Sequence, residues 1–416
     1  ALLGISFQFF INMEIERYAL VKGESVFVGL AKLLKWTPYW FILSTFIGFG
    51  LPGIGAAGAQ SLGAAFGLEN FKWLAIGVFV LLGIILSIGH SVYSLMEHLT
   101  KTLILIGVPF ILILALLVID METIRALGRG LIGVGDGFYF IPEGIALAAF
   151  LGAFAYSGAG GNLNLTQSIY IKEKGYGMGM YSQKIAGLFK PGAMAERLKL
   201  GGEAFSITPE NVGNFRAWWK RINTEHAIVF WFLGFVSMAL LMVLSYATTY
   251  GNADNIQGIS FIIHQSNDIA RAIAPWAGTA LLAIIGILLL QTQLGIIDST
   301  SRIMAENFAL KKIEKTGSKT VSLSKIYYVF VWAQIAFGVI LFLLNYYEPR
   351  SLIVAGAVIN AWAMIIHIAL VNYLNRKHLP KVFQPALWRK IVISFVFVFF
   401  LGFGLITLWN NFIAKL

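Results

Sequence analysis

The 416-residue chain has no cysteine. That absence excludes a disulfide framework, a thiolate zinc site and a cysteine nucleophile, and it leaves the redox compartment open. Charge is scarce too: 12% of residues are charged against 58% hydrophobic, and the mean hydropathy is +0.77. A soluble domain of that make-up would expose an impossible apolar surface, so the composition reads as a multi-span membrane protein. The sequence shows no nucleophile paired with a base, no phosphate loop and no histidines at ligand spacing. An enzyme is therefore not expected, nor a bound cofactor.

What charge there is sums to +11. It sits between the apolar runs, which favours basic loops facing the cytoplasm over a nucleic-acid partner. Candidate spans lie near 1–12 (a stub), 39–66, 72–92, 98–119, 143–171, 226–248, 275–301, 325–345, 351–374 and 391–412, each about 20 mainly apolar residues apart from the stub. With the loop 13–37 placed inside, 173–225, 309–325 and 375–390 are inside as well. Those four loops hold 22 Lys and Arg, whereas the outer loops 120–142 and 249–274 hold only Arg125, Arg129 and Arg271. The orientation follows from that asymmetry. Ala1 lies already within an apolar stretch and no charged n-region precedes it, so a signal peptide is a poor explanation and a preceding span is expected.

One span departs from plain apolar filler. In "GAFAYSGAGGNLNLTQSIYIKEKGYG" (152–177) Gly158, Gly160 and Gly161 weaken a helix, and Asn162, Asn164, Thr166 and Gln167 follow with uncharged oxygens. Unwound backbone at membrane depth is tolerated only beside protein or a water-filled cavity. Secondary transporters use such breaks as substrate sites, with freed carbonyls facing cations. Neutral oxygens suit Mg, Ca, Mn or alkali cations. A glycine-rich close-packing helix with polar ends explains the same residues equally well at this point.

Other polar residues within spans are few. They are His90, the i, i+4 pair Glu97 and Lys101, the group Gln291, Gln293, Asp298, Arg302 and Glu306, and the late pair Asn360 and His367, each a site candidate by default. His367 reads first as a satisfied packing residue, and the Glu97–Lys101 pair as structural. Around Pro52, "FIGFGLPGIGAAGAQSLGAAFG" (46–67) reads as close backbone packing, with a flexible gating helix as the alternative. In the basic insert 173–225, Trp218 and Trp219 beside Arg216, Lys220 and Arg221 fit an interfacial helix on anionic headgroups.

The order of these features resembles the Nramp family of divalent-metal transporters, which have the LeuT-type fold. Carrying the resemblance are "INMEIERYALVKGESV" (11–26), "FIGFGLPGIGAA", "SLMEHLTKTLILI" (94–106), "GGNLNLTQS" (160–168), "STSRIMAENF" (299–308) and "LPKVFQPALWRKI" (379–391). It spans nearly the whole chain as dispersed similarity, with the family's first helix absent. Where the family has a sixth-helix thioether this sequence has Ala159, with Gly160 and Gly161 in place of Pro and His. Its third-helix carboxylates are replaced by Gly50 and Gly53. Those departures are similar to the Nramp-related magnesium transporters.

The resemblance implies an all-α polytopic membrane protein, a LeuT-like inverted-repeat bundle with a discontinuous helix near 156–163, in the cell membrane. It implies a transporter of a divalent cation, Mg or Mn, moving by alternating access with weak or no proton coupling. The metal would meet Tyr156 through its carbonyl, the position of Ala159, the amides of Asn162 and Asn164, and Thr166. Two rivals stand beside it: a sodium-coupled symporter of an organic solute on the same fold, and a sensor or scaffold that moves nothing.

Overall fold

The apolar runs fold as helices. The structure, a computed structural model, describes residues 1–88, 92–134, 146–181, 201–251, 258–317 and 321–410, with backbone alone for 92–95. His90, positions 182–200 of the basic insert and parts of both outer loops (135–142 and 252–257) lie outside the described residues. The first half of the chain forms α1 (Leu2–Lys22), α2 (Val26–Leu33), α3 (Thr37–Phe49), α4 (Gly53–Ala65), α5 (Lys72–Ile88), α6 (Val92–Val118), α7 (Met121–Ile132), α8 (Leu147–Tyr156) and α9 (Gln167–Lys174). The second forms α10 (Pro209–His226), α11 (Leu233–Thr249), α12 (Ile259–Ala272), α13 (Pro275–Thr316), α14 (Leu323–Leu343), α15 (Pro349–His378) and α16 (Leu387–Leu408). Among the described residues there is no strand.

Seven helices are long and apolar enough to cross a bilayer, counting α3 with α4 and α10 with α11 as one each. The other two expected spans are α5, whose 17 residues reach about 26 Å at 1.5 Å per residue, and 143–171, which is split. Protein covers little of the outermost helices: the apolar windows of α10–α11, α6 and α16 are only 11%, 22% and 28% buried. Leu105, Leu116, Phe395 and Val398 stand exposed along them, as a bilayer-facing surface requires.

Since lipid tails are as apolar as leucine, close backbone contact and buried polar links hold such helices together. The small-residue stretch 46–67 provides the first. A Cβ on Gly58 would lie 3.0 Å from the Gly286 carbonyl, and one on Gly286 would lie 3.1 Å from the Gly58 carbonyl, so α4 and α13 cross glycine to glycine.

Three regions differ from the sequence reading. Residues 13–22 are not loop; they complete α1, and Glu14, Glu16 and Arg17 on it are buried. Their charges resembled a solvated segment because Arg389 and His226, which help to bury them, are remote in sequence. Arg17 Nε donates to Glu14 Oε2 at 2.7 Å, and Arg389 Nη1 donates to Glu14 Oε1 at 3.2 Å. The span 39–66 is interrupted at Gly50–Pro52, where proline lacks the amide a continuous helix would use. Finally, α10 does not lie free on headgroups. It runs through π-helical turns (Ala227–Phe232) into α11, and Trp219 packs under the Arg17 guanidinium at 3.8 Å while Trp218 packs beside Tyr176 at 5.1 Å.

Candidate functional site

The glycine-rich stretch breaks its helix. From Tyr156 the chain bends through 157–159, passes Gly160 at φ 70° and Gly161 at φ 51°, and resumes as a 3-10 turn (Gly161–Thr166) leading into α9. Positive φ is a glycine conformation, and space demands glycine as well. A Cβ on Gly160 would stand 2.3 Å from the Ala155 carbonyl, and one on Gly161 would stand 2.2 Å from Asn360 Oδ1.

Breaking a helix frees backbone groups, and one side chain takes up three of them. Gln8 of α1 donates from Nε2 to the carbonyls of Phe154 (3.1 Å) and Ala155 (2.9 Å), while its Oε1 accepts from Gly160 N–H at 3.0 Å. Among the described residues, no donor reaches the carbonyls of Tyr156, Ser157, Gly158 or Ala159. The interruption between α3 and α4 is tied the same way, since Gln293 of α13 accepts from Gly55 N–H at 3.0 Å. Gln8→Ala is expected to destabilise the protein by about 1–3 kcal/mol, the cost of stranding buried backbone groups, measured by thermal unfolding in detergent. An unchanged melting temperature would show that the break closes its hydrogen bonds without Gln8.

The two interruptions meet. A recess of about 250 Å³, counting its solvent-open part, is lined by Gly48, Phe49, Leu51, Gly53 and Ile54 from the α3–α4 junction, Tyr156, and residues of α13 and α15. The ring of Tyr156 stacks on Phe49 at 6.3 Å. Its hydroxyl accepts from Asn360 Nδ2 at 3.1 Å, and the same amide donates to the Gly48 carbonyl at 2.9 Å. Tyr156 thereby forms part of the recess wall and is held by Asn360, which also meets Gly161 of the break.

Behind that wall sit the amides. Asn162 is fully buried, donating from Nδ2 to Ser44 Oγ (2.8 Å) and Thr45 Oγ1 (3.0 Å) of α3. Among the described residues its Oδ1 has no donor, nor has Asn360 Oδ1, and both amide atoms of buried Asn164 are unpartnered. Buried acceptors left this way are costly unless a positive group meets them. Asn162, Asn360 and Tyr156 are therefore brought together, joined by Ser44 and Thr45, which the sequence did not single out. Ala159 packs with Phe49, Leu163 and Ile296. Thr166 is turned back on its own chain, donating to the Leu163 carbonyl. None of Ala159, Asn162, Asn164 and Thr166 lines the recess itself. His367 is buried as expected but not satisfied: neither ring nitrogen has a hydrogen-bond partner among the described residues.

Charge lies further along, where α9 is anchored. Arg302 on α13 donates to Asp298 Oδ1 (2.8 Å) and to Glu173 Oε1 of α9 (2.9 Å), and Tyr327 of α14 donates to Asp298 at 2.7 Å. One turn on, Glu306 accepts from Ser25 at 2.6 Å and pairs with Lys172 at 3.5 Å. The expected pairs Asp298–Arg302 and Glu97–Lys101 are both present, the latter at 2.7 Å. Among the described residues no group of three His, Cys, Asp or Glu side chains is placed to hold a metal. The oxygens at the break are neutral.

These observations define an all-α, multi-pass membrane protein in which two interrupted helices meet at a buried, uncharged polar centre. No family model matches the chain, and no curated protein matches it either.

Proposed function

We propose that the protein carries a hard divalent cation, Mg²⁺ or Mn²⁺, across the cell membrane by alternating access, on a LeuT-like bundle of the Nramp type. The observation that carries this reading is the break at 157–161. Beside it lie buried oxygens of Asn162 and, against Gly161, of Asn360, which no donor meets among the described residues. Neutral oxygen donors suit a hard cation, and Ala159 offers no sulfur to a soft one. In this reading the ion enters by the recess, passes the Tyr156–Asn360 contact, and meets the free carbonyls after Tyr156 together with the amide oxygens of Asn162, Asn360 and Asn164. Rocking of one helix group against the other would open the opposite side.

Uptake of Mg²⁺ or Mn²⁺ into proteoliposomes tests it directly. Asn162→Ala and Asn360→Ala are each expected to lower uptake at limiting cation by about tenfold, roughly 1.4 kcal/mol of binding. Wild-type protein that moves neither ion would favour a scaffold that transports nothing. Uptake driven by a sodium gradient and an organic solute would favour the symporter. Strict one-to-one proton flux with metal would overturn weak coupling.

A further inference from the structure

A second cleft, of about 330 Å³ counting its solvent-open part, lies where α1, α15 and the start of α16 meet. The basic loops place this end of the three helices at the cytoplasmic face. Its lining changes character along the helix axes. On each helix the apolar lining residues lie farther from the cytoplasmic end than the polar ones. On α1 Ile11 precedes Glu14, on α15 Ile368 and Val371 precede Asn375, and on α16 Ile393 follows Arg389 and Lys390. The cleft therefore runs from apolar to charged in the direction in which a phospholipid does.

The charged end has a surplus of one sign. Arg17 Nε and Arg389 Nη1 both donate to Glu14, and among the described residues no other carboxylate pairs with either arginine. One negative charge thus meets two positive ones, all three side chains being buried. Both oxygens of Glu14 accept from these guanidinium groups, which leaves the carboxylate little capacity to repel an anion. Arg389 keeps donors to spare: of the five N–H groups of a guanidinium, one reaches Glu14 and one reaches Asn223 Oδ1 at 2.8 Å. Lys390, half-buried beside it, touches only Gln384 Oε1 at 3.5 Å. A surplus of buried positive charge is costly unless an anion compensates it.

Charge alone would suit a free anion as well as a lipid, and the surroundings of the cleft separate the two. Leu387 and Ile391, next to Lys390 on α16, are 74% and 61% exposed, so the cleft adjoins a bilayer-facing surface. Trp388 stands exposed in the first turn of the same helix, and tryptophan favours the headgroup level. Basic pockets between membrane helices on the cytoplasmic side suit anionic headgroups.

We propose that this cleft binds an anionic phospholipid of the cytoplasmic leaflet, its phosphate at Arg389 and Lys390 and an acyl chain along Ile11, Ile368 and Ile393. The bound lipid bridges α1, α15 and α16 and supplies the negative charge that the Glu14 group lacks. The site stands apart from cation transport and does not depend on it.

Native mass spectrometry of the purified full chain, titrated with phosphatidylglycerol or with phosphatidylcholine of the same acyl chains, tests it. Phosphatidylglycerol is expected to bind about tenfold tighter, since each basic side chain near an anionic headgroup contributes about fivefold. Lys390→Gln should lower that preference about fivefold. Asn372→Phe should lower it too, because Asn372 is a half-buried lining residue and the larger ring narrows the cleft without changing its charge. Lys325→Gln is the control, an exposed lysine in the first turn of α14 outside the cleft, and should leave the preference unchanged. Equal binding of the two lipids, or a preference that neither Lys390→Gln nor Asn372→Phe lowers, would overturn the proposal. An equal loss in Lys390→Gln and Lys325→Gln would overturn it as well, since diffuse attraction to a basic surface would then suffice. Displacement of the lipid by millimolar inorganic phosphate would show a free-anion site in its place.

Discussion

Gly161→Ala is expected to reduce cation uptake to background while the protein still reaches the membrane. Gly161 sits at φ 51°, where an L side chain costs about 1–2 kcal/mol on conformation alone. The added methyl would also lie 2.2 Å from Asn360 Oδ1, with Asn360 Cγ at 2.6 Å. Relief requires Asn360 to retreat, which breaks its bonds to Tyr156 and the Gly48 carbonyl and so frees Tyr156, part of the recess wall. The stability loss should stay within about 1–3 kcal/mol, because one strained residue and one displaced amide are involved. The measurement is proteoliposome uptake together with thermal unfolding of the purified variant. Gly77→Ala is the control: nothing lies within 4 Å of its Cβ position, and uptake should be unchanged. Undiminished uptake in Gly161→Ala would mean that the ion does not pass this face.

The largest effect on stability is expected at Arg302. Its side chain is inaccessible to solvent and compensates two carboxylates, Asp298 and Glu173, whose side chains are 2% and 4% exposed. Arg302→Met keeps much of the volume and removes the guanidinium that both buried carboxylates contact, which should cost about 3–5 kcal/mol. The same change removes one of the links that tie α9, the continuation of the broken helix, to α13, while Lys172–Glu306 and Tyr170–Ser299 remain. Combining Arg302→Met with Asp298→Asn and Glu173→Gln should recover most of the loss, since neutral groups no longer need the guanidinium. Melting temperatures of the single and triple variants decide it. A triple variant as unstable as the single one would show that packing around Arg302, and not charge, is what matters there.

Much of the architecture is visible in the sequence because lipid imposes a strict rule: about 20 apolar residues must close their own hydrogen bonds. The spans at 325–345, 351–374 and 391–412 therefore appear within a few residues of α14 to α16, and the one at 275–301 begins with α13, which runs on to Thr316. The break was half legible: Gly158, Gly160 and Gly161 weaken a helix, yet a glycine-rich close-packing helix would use the same residues. Misreadings arose where a charge in the sequence has no address. Glu14, Glu16 and Arg17 resembled a solvated loop, yet Arg389 and His226, more than 200 positions away, bury them. The Trp218–Trp219 pair resembled a headgroup anchor until Arg17 was seen to cover one of its rings.

The sequence by itself determined that this is a helical, multi-pass membrane protein, because hydropathy acts locally along the chain, and it offered an interruption near residue 160 as one of two readings. Tertiary structure alone decided that Gln8 holds the interruption, that the junction at Pro52 forms the recess beside it, and that Asn360 of α15 comes up against Gly161. Those relations join α1, α3, α8, α13 and α15, and no local preference of the chain can specify which distant side chain meets a freed backbone group.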